Sequence, residues 1–243
     1  MIRATDLTIG YGTTALQENL NFEVARGDIF VVLGGSGTGK STLLRHLVGL
    51  QRPLGGAVEV EGVGDPTTAT GAPRFGVMFQ SGALFGSMTL AQNVSLPLRR
   101  WTDLDRETID AIVQWKLKLV GLDGFENHLP NELSGGMKKR AGIARALAFE
   151  TELLFLDEPS AGLDPVTAVE LDDLILTLNE SLGITIVIVT HELASVFKIG
   201  KSCILLNREA RGIIARGDPR VLRDTSSDER VHNFFNRLPA VGA

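Results

Sequence analysis

Cysteine, tyrosine and tryptophan are scarce in this chain of 243 residues, which contains one, one and two of them respectively. The single cysteine, Cys203, excludes an internal disulfide and fits a reducing compartment. No apolar run approaches the roughly 18 residues of a membrane-spanning helix, and the first residues lack the layout of a signal peptide. Basic residues are not in excess, because 24 Lys and Arg stand against 29 Asp and Glu for a net charge of −5. We therefore expect a cytoplasmic protein that recruits no nucleic acid through a basic surface.

The composition is that of a folded domain, with 44% hydrophobic and 22% charged residues, and it excludes extensive disorder. Three short apolar runs, each followed by polar residues and a helical pattern, predict parallel strands of an α/β core at 29–33, 153–156 and 185–189. Earlier segments alternate as antiparallel strands do, at 2–9, 20–24, 57–60 and 75–79.

Helical patterns dominate the middle of the chain. Asp105 is a candidate N-cap, Pro130 breaks the pattern, and Ser134 begins a further helix. We predict a helical subdomain at 88–148, inserted into an α/β core made of 1–87 and 149–217, and a tail at 218–243. In the tail Ser227 can cap a helix, whose apolar face packs either on its own core or on another copy or regulator. That face consists of Val231, Phe234, Phe235 and Leu238.

A glycine-rich loop follows the predicted strand at 29–33 and opens a helix, in which Leu43, Leu47 and Leu50 are predicted to face inward. The loop matches the pattern G-x-x-x-x-G-K-[ST] with the residues Gly34, Gly35, Ser36, Gly37, Thr38, Gly39, Lys40 and Ser41, followed by Thr42. Glycines let successive backbone N–H groups converge on phosphate oxygens at a helix N-terminus. Lys40 can then reach the β/γ-phosphates, and the Ser41 hydroxyl can ligate Mg²⁺. The alternative is a glycine-rich turn with an incidental Lys-Ser, which the flanking strand and helix disfavour.

Polar side chains end two of the predicted buried strands. Asp157 and Glu158 follow the run at 153–156, and His191 follows the run at 185–189. Ligands of open α/β sheets bind at the carboxyl ends of the strands. There Asp157 suits the Mg²⁺ shell, and Glu158 suits orientation or deprotonation of an attacking water. Each feature alone also fits a solvated strand end or a helix cap, and the phosphate loop favours the functional interpretation.

Taken together, these motifs resemble those of ABC-type ATPases. Leu133-Ser134-Gly135-Gly136 resembles the family's signature, and the segment 160–164, which ends at Asp164, resembles its D-loop. Tyr11 lies where the family has an aromatic side chain that stacks on adenine, Gln80 resembles the glutamine that contacts Mg²⁺ and water, and His191 resembles the switch histidine. The resemblance implies a P-loop NTPase core of RecA type, with an N-terminal antiparallel β-subdomain and an inserted α-helical subdomain.

The resemblance also implies ATP hydrolysis with Mg²⁺ in a head-to-tail homodimer. Each ATP would lie between one copy's phosphate loop and the signature residues Ser134, Gly135 and Gly136 of the other copy. The implied catalytic residues are Glu158, His191, Gln80 and Lys40. The implied metal ligands are Ser41, Gln80 and Asp157, and the nucleotide contacts are Tyr11, residues 34–42, the signature and Asp164.

A narrower resemblance is to the MlaF-like ATPases of MCE-associated lipid transporters. It rests on the segments 79–85, 88–94, 96–98 and 116–122 and on Met137-Lys138-Lys139-Arg140 after the signature glycines. It implies an MlaE-like permease, an MCE-domain protein similar to MlaD, a STAS-domain regulator as a further candidate, and a place at the cytoplasmic face of the inner membrane. Leu84, Phe85 and Met88 would form part of the groove for a permease helix, or else simply pack in the subdomain. A small-solute importer ATPase is the alternative.

Two other functions fit the sequence less well. ABC ATPases that act on nucleic acid or ribosomes usually carry a long coiled-coil insertion or two fused cassettes, and neither fits this length. A scaffold that binds ATP without turnover would not need Glu158, Gln80 and His191 together.

Overall fold

The computed structural model describes residues 1–238, which form two compact units. Met1–Ala69 and the chain from Thr185 onward make up the first unit, and Thr70–Ile184 make up the second. The strands are β1 (Ile2–Tyr11), β2 (Thr14–Val24), β3 (Ile29–Gly34), β4 (Gly55–Val60), β5 (Gly76–Met78), β6 (Leu153–Asp157), β7 (Thr185–Val189), β8 (Ser202–Asn207) and β9 (Gly212–Gly217). The helices are α1 (Lys40–Leu47), α2 (Leu90–Trp101), α3 (Arg106–Leu119), α4 (Gly135–Ala146), α5 (Pro165–Leu182), α6 (Leu193–Ile199), α7 (Pro219–Thr225) and α8 (Glu229–Asn236), and Pro130–Glu132 form a 3₁₀ turn. The predicted subdivision at 87, 148 and 217 stays a prediction.

An antiparallel sheet of order β2-β1-β4 opens the first unit, as the alternating pattern of these segments predicts. Ile2 lies opposite both Val24 and Val60. All three side chains are buried, because residues directly opposite one another on neighbouring strands have their side chains on the same face of the sheet.

The other sheet of this unit has the order β7-β3-β8-β9. β3 runs parallel to both β7 and β8, and β9 returns antiparallel to β8. Every residue of β3 and β7 is buried, which accounts for their unbroken apolar runs. Val32 pairs with Val189, so the carboxyl ends of these two strands lie side by side.

Helix α1 begins directly after the glycine-rich loop and confirms the predicted order of strand, loop and helix. Leu43 and Leu47 are buried as predicted, but Leu50 is 65% exposed. The helix ends at Leu47 and Gly49 turns the chain at φ 75°, so the helical period no longer applies to Leu50.

In the second unit β5 pairs with β6 in parallel, with Gly76 opposite Leu154. The antiparallel orientation expected for 75–79 is therefore wrong. The two strands are joined through the helices α2 to α4, which is the long crossover that a parallel pair requires. Alternation along a three-residue strand does not encode its direction.

The helices of the second unit pack through apolar faces with helical spacing. α2 buries Leu90, Val94 and Leu98, and α3 buries Ile109, Val113 and Leu117. Asp105 caps α3 as predicted, because its carboxylate accepts a hydrogen bond from the Thr108 N–H at 2.8 Å.

The tail contains two short helices, α7 and α8, of which only the second was expected. Asp228, and not Ser227, caps α8 through the Arg230 N–H. Val231 and Phe235 are buried within the first unit, and the Phe235 ring lies 5.9 Å from that of Phe197 in α6. Phe234 is half-buried and Leu238 is 50% exposed. The sequence leaves open whether this face packs on the chain's own core or on another copy or regulator, and these contacts match packing on its own core. Residues 239–243 lie outside the described part of the chain.

Cys203 lies on β8 with 1% exposure. Burial raises the pKa of its thiol to about 12, and the nearby Asp218 carboxylate adds to that effect. The thiol is therefore protonated at neutral pH and a poor nucleophile.

Among residues 1–238, no helix combines the length and the apolar character that crossing a bilayer takes.

Candidate active site

The glycine-rich loop leaves β3 through a backbone conformation that only glycine adopts without strain. Gly34 has φ 155°, and a Cβ there would lie 2.5 Å from Oγ1 of Thr38 and 2.9 Å from the Leu206 carbonyl oxygen. Gly39 has φ 91° and occupies the N-cap position of α1 without a side-chain cap. The first N–H groups of α1 therefore face the loop, where an anion can accept hydrogen bonds from them.

Lys40 is folded over this loop. Its Nζ donates hydrogen bonds to the carbonyl oxygens of Gly34 at 2.8 Å and Gly35 at 3.1 Å. Gly35, Ser36 and Gly37 are exposed, so a ligand can approach the loop from outside. The ammonium already lies above the loop, as a phosphate-binding lysine must.

Gln17 braces the same loop from β2, and no sequence motif indicates this role. Its side chain is 1% exposed, and Nε2 donates to the Thr38 carbonyl at 2.8 Å and to the Asn207 carbonyl at 3.1 Å. The contact depends on how β2 lies against the loop in three dimensions, and a local sequence pattern carries no information on that packing.

Tyr11 ends β1 beside the start of α1. Its hydroxyl lies 2.7 Å from Oγ1 of Thr42, and 51% of the residue is exposed. An exposed ring anchored at its hydroxyl can offer one face to a nucleobase.

His191, which follows β7, is another sequence-predicted site residue of the first unit. Since β7 and β3 are parallel neighbours, His191 and the glycine-rich loop begin at the same edge of that sheet. Its side chain is 56% exposed, and Nε2 lies 3.5 Å from Oε1 of Glu192.

In the second unit Asp157 ends β6 and Glu158 follows it, each 7% exposed. Glu158 has φ 47°, a left-handed conformation that is strained for a residue with a side chain. Its carbonyl oxygen accepts hydrogen bonds from the Ala161 N–H at 3.2 Å and from Nζ of Lys139 at 3.0 Å. Burial lowers the pKa of Lys139, and the carboxylates of Asp157 and Glu158 oppose that shift.

The signature residues lie at the start of α4. Ser134 is the exposed N-cap, and its Oγ accepts a hydrogen bond from the Met137 N–H at 3.3 Å. Gly136 contacts the start of α5 so closely that a Cβ there would lie 2.4 Å from Cγ2 of Thr167. The Asp164 carboxylate caps α5 through the N–H groups of Val166 and Thr167, both at 3.1 Å. The hydrogen bonds from Thr167 lower the pKa of that carboxyl group.

Gln80 is exposed and lies just beyond β5. The apolar loop that follows it is held by Asn93, which is fully buried on α2. The Asn93 amide nitrogen donates to the carbonyls of Phe85 and Met88, each at 3.1 Å, and its oxygen accepts from the Phe85 N–H at 2.8 Å. Phe85 itself is 50% exposed. The sequence predicts Phe85 as a contact residue but gives no signal for Asn93 as its support.

The sequence-predicted residues therefore form two groups. Tyr11, residues 34–42 and His191 belong to the first unit, and Gln80, Asp157, Glu158, the signature and Asp164 belong to the second. Within each unit the polar groups lie at strand ends or helix starts, the positions that the motifs predict.

The family model described as ABC transporter matches residues 17–161, which include the glycine-rich loop, the signature and the acidic pair. This chain belongs to the ABC transporter family. It is an ABC-type ATPase that binds ATP, and both the expected family and the expected fold class are confirmed.

Curated relatives of this ABC ATPase match almost its whole length. A "probable ribonucleotide transport ATP-binding protein" of Mycobacterium leprae is 39% identical over 99% of this chain and 71% of the relative. The "intermembrane phospholipid transport system ATP-binding protein MlaF" of Escherichia coli K12 is 37% identical over 98% of this chain and 89% of the relative. The MlaF protein of Haemophilus influenzae is 36% identical over 97% of this chain and 90% of the relative.

Solved ABC cassettes have the same fold. A dimeric ATP-binding cassette in a post-hydrolysis state, bound to ADP and Pi, has a TM-score of 0.79 and 28% identity over 90% of this chain and 98% of its own. The cassette cbiO1 of Clostridium perfringens has a TM-score of 0.79 and 29% identity over 96% of this chain and 94% of its own.

Proposed function

We propose that this chain is the ATPase subunit of a phospholipid transporter and works as a head-to-tail homodimer at the cytoplasmic face of the inner membrane. The observation that carries the proposal is the likeness to the MlaF proteins at 36–37% identity over 97–98% of the chain. The same subfamily is supported by Met137-Lys138-Lys139-Arg140 and by the segments at 79–85, 88–94, 96–98 and 116–122.

ATP would bind with its phosphates on the loop at 34–42 and its base against Tyr11. The phosphates would receive N–H donors from the start of α1 and positive charge from the Lys40 ammonium. The loop that would hold them depends on the close backbone approach at Gly34. The Tyr11 ring, held at Thr42, supplies the stacking face.

Mg²⁺ fits the donor set that this chain offers. Ser41, Gln80 and Asp157 present hydroxyl, amide and carboxylate oxygens, the hard ligands that Mg²⁺ prefers, and their number leaves coordination positions for phosphate oxygens and water. When bound, the ion would neutralise charge on the β- and γ-phosphates.

Hydrolysis would rely on Glu158 to orient and deprotonate the attacking water, with Gln80 and His191 as polar partners near the γ-phosphate. The second copy would supply Ser134, Gly135 and Gly136. The exposed N-terminus of α4 supports that role, because its N–H groups and the Ser134 hydroxyl can donate to phosphate oxygens from outside the chain. Asp164 would act beside them, on the exposed start of α5.

The membrane partners would be an MlaE-like permease and an MCE-domain protein similar to MlaD, with a STAS-domain protein as a candidate regulator. The loop after Gln80 supports a permease contact, since Phe85 is exposed and Leu84 and Met88 are half-buried beside it.

Ribonucleotide transport is the second candidate, favoured by the mycobacterial relatives at 39% identity. One experiment separates the two cargoes. The full-length chain is purified from membranes with its accompanying subunits, reconstituted in vesicles and supplied with ATP and either a fluorescent phospholipid or a labelled ribonucleotide. We expect ATP-dependent phospholipid movement that is lost in Glu158→Gln. Movement of the ribonucleotide alone, or co-purification with a periplasmic amino-acid or sugar receptor, would overturn the proposal.

A further inference from the structure

One face of α4 binds the backbone of two other segments of the second unit. Lys139, Gly142 and Arg145 are three residues apart, so each is a neighbour of the next along the helix surface. The segment that contains Gln80 and the residue Glu158 both contact this side.

Lys139 makes the central contact. Its side chain is 6% exposed, and its ammonium donates one hydrogen bond to the Glu158 carbonyl at 3.0 Å and another to the Gln80 carbonyl. Burying an ammonium is costly unless it is hydrogen-bonded. The two carbonyls reduce that cost, and their positions are in turn fixed to α4.

The Glu158 peptide needs such a contact. Glu158 adopts φ 47° and precedes Pro159, and a proline favours an extended conformation in the residue before it. A non-glycine residue in this region costs on the order of 1–3 kcal/mol and persists only where neighbouring groups hold it. The Lys139 ammonium holds the carbonyl of this peptide and thereby fixes the direction in which the Glu158 side chain leaves the backbone.

The segment after Gln80 is fixed to α4 at two further points. The Arg145 guanidinium donates to the carbonyls of Gly82 at 3.0 Å and Ala83 at 2.7 Å. A Cβ on Gly142 would lie 3.0 Å from Cγ of Met78 and 3.2 Å from Cα of Gly82, so the backbones approach closely. This segment therefore follows α4 rather than moving independently of it.

We propose that Lys139 is a positioning residue for ATP hydrolysis, which holds the backbone of Glu158 and of Gln80 at a fixed distance from the helix that begins with the signature. This inference rests on the proposed role of Glu158. It has a consequence for the dimer: a shift of α4, caused by ATP of the second copy at Ser134, is transmitted by Lys139 to the chain's own Glu158 and Gln80.

Lys139→Met tests the proposal, because methionine fills a similar volume and removes the donor. In the full-length chain, purified with its accompanying subunits, we expect kcat to fall about 10- to 100-fold while KM for ATP changes less than about twofold. The phosphate loop is untouched, so affinity for a fluorescent ATP analogue should also be kept. Lys139→Arg, which keeps a buried donor, should recover most of kcat, and Lys138→Met on the same helix should match the wild type.

A double-mutant cycle of Lys139→Met and Glu158→Gln distinguishes a role of Lys139 in positioning Glu158 from a role in the stability of the fold alone. If Lys139 acts through Glu158, adding Lys139→Met to Glu158→Gln lowers the single-turnover rate no further. The inference would be overturned if the two substitutions lowered the single-turnover rate by independent factors in the double variant. A normal kcat in Lys139→Met, or a KM that rises as kcat falls, would also overturn it. Normal turnover in Glu158→Gln would instead refute the proposed catalytic role itself, so the two failures are distinguishable.

Discussion

The Tyr11 hydroxyl lies 2.7 Å from Oγ1 of Thr42, two residues beyond the lysine of the phosphate loop. The only tyrosine of the chain is thus anchored to the helix that opens the phosphate site, with 51% of its surface exposed.

Tyr11→Ala should weaken ATP binding about tenfold or more, since base stacking on an aromatic side chain contributes roughly 1–3 kcal/mol. GTP binding should weaken to a similar extent, because stacking is nearly independent of the base. Tyr11→Phe keeps the ring and loses only the Thr42 contact, and its affinity should stay within about threefold of the wild type. Calorimetric titration of all three proteins with both nucleotides measures this. A large gain in base selectivity in Tyr11→Ala would contradict the stacking role.

Glu158→Gln should lower ATP turnover on the order of 10²–10³-fold, comparable to removing one transition-state donor elsewhere. The variant removes the carboxylate proposed to orient the water but keeps the shape of the side chain, so ATP should still bind and the proposed ATP-bound dimer should persist. Phosphate release and size-exclusion chromatography with ATP measure the two effects. Glu152→Gln, an exposed glutamate just before β6, serves as the matched control and should behave as the wild type.

The buried His46 side chain should lower the free energy of unfolding in mild acid. The residue is fully buried on α1, and its Nε2 accepts a hydrogen bond from the Gly10 N–H at 3.4 Å. Burial lowers the pKa of the imidazole from 6.5 to about 4, so as pH falls below 6.5 the unfolded chain takes up a proton that the folded chain does not. Stability contributed by the neutral ring is present above pH 6.5 and is lost as pH falls towards 4.

This loss should amount to about 2 kcal/mol at pH 5 and about 3 kcal/mol below pH 4. His46→Gln keeps an acceptor and does not titrate, so its free energy of unfolding should depend less on pH. Urea unfolding of both proteins at pH 7.5, 6 and 5 gives the comparison. Parallel pH profiles for the two proteins would show that His46 is not the source.

Asn93→Leu should lower the free energy of unfolding by about 2 kcal/mol, because it removes the hydrogen bonds that the part-buried backbone groups of Phe85 and Met88 make with the buried Asn93 side chain. It should also abolish any stimulation of ATPase activity by the proposed membrane subunits, since the exposed Phe85 loop loses its support. Denaturant unfolding and ATPase assays with and without those subunits test both effects. Gln114→Leu, exposed on α3, should change stability by less than about 0.5 kcal/mol.

Local patterns predict the elements around the phosphate loop well. An apolar run, glycines at fixed spacing and a helix start all lie next to one another in the sequence, so β3, the loop and α1 follow from it. The direction of β5 does not follow, because it depends on where the chain returns after three helices. Helix α7 is not among the predicted elements, although the sequence contains its start signal: Asp218 caps the helix and Pro219 occupies its first turn.

The supporting contacts of the site are the least predictable part. Gln17 reaches Thr38, and Lys139 reaches Gln80 and Glu158, which lie 59 and 19 residues away from it. Such hydrogen bonds to distant carbonyls depend on tertiary packing. Every residue has a backbone carbonyl, so the acceptor cannot be identified from the residue type. Motifs therefore identify the residues proposed to contact the ligand more readily than the residues that hold those groups in place.

The inert thiol on β8 makes this chain convenient for spectroscopy. Cys203 is the only native cysteine, and its burial and high pKa protect it from maleimide reagents. The variants Glu59→Cys and Asn131→Cys, both at exposed positions outside the phosphate loop, can therefore carry fluorophores or spin labels without removal of Cys203. Distances between labels on two copies would then follow the opening and closing of the proposed dimer during turnover.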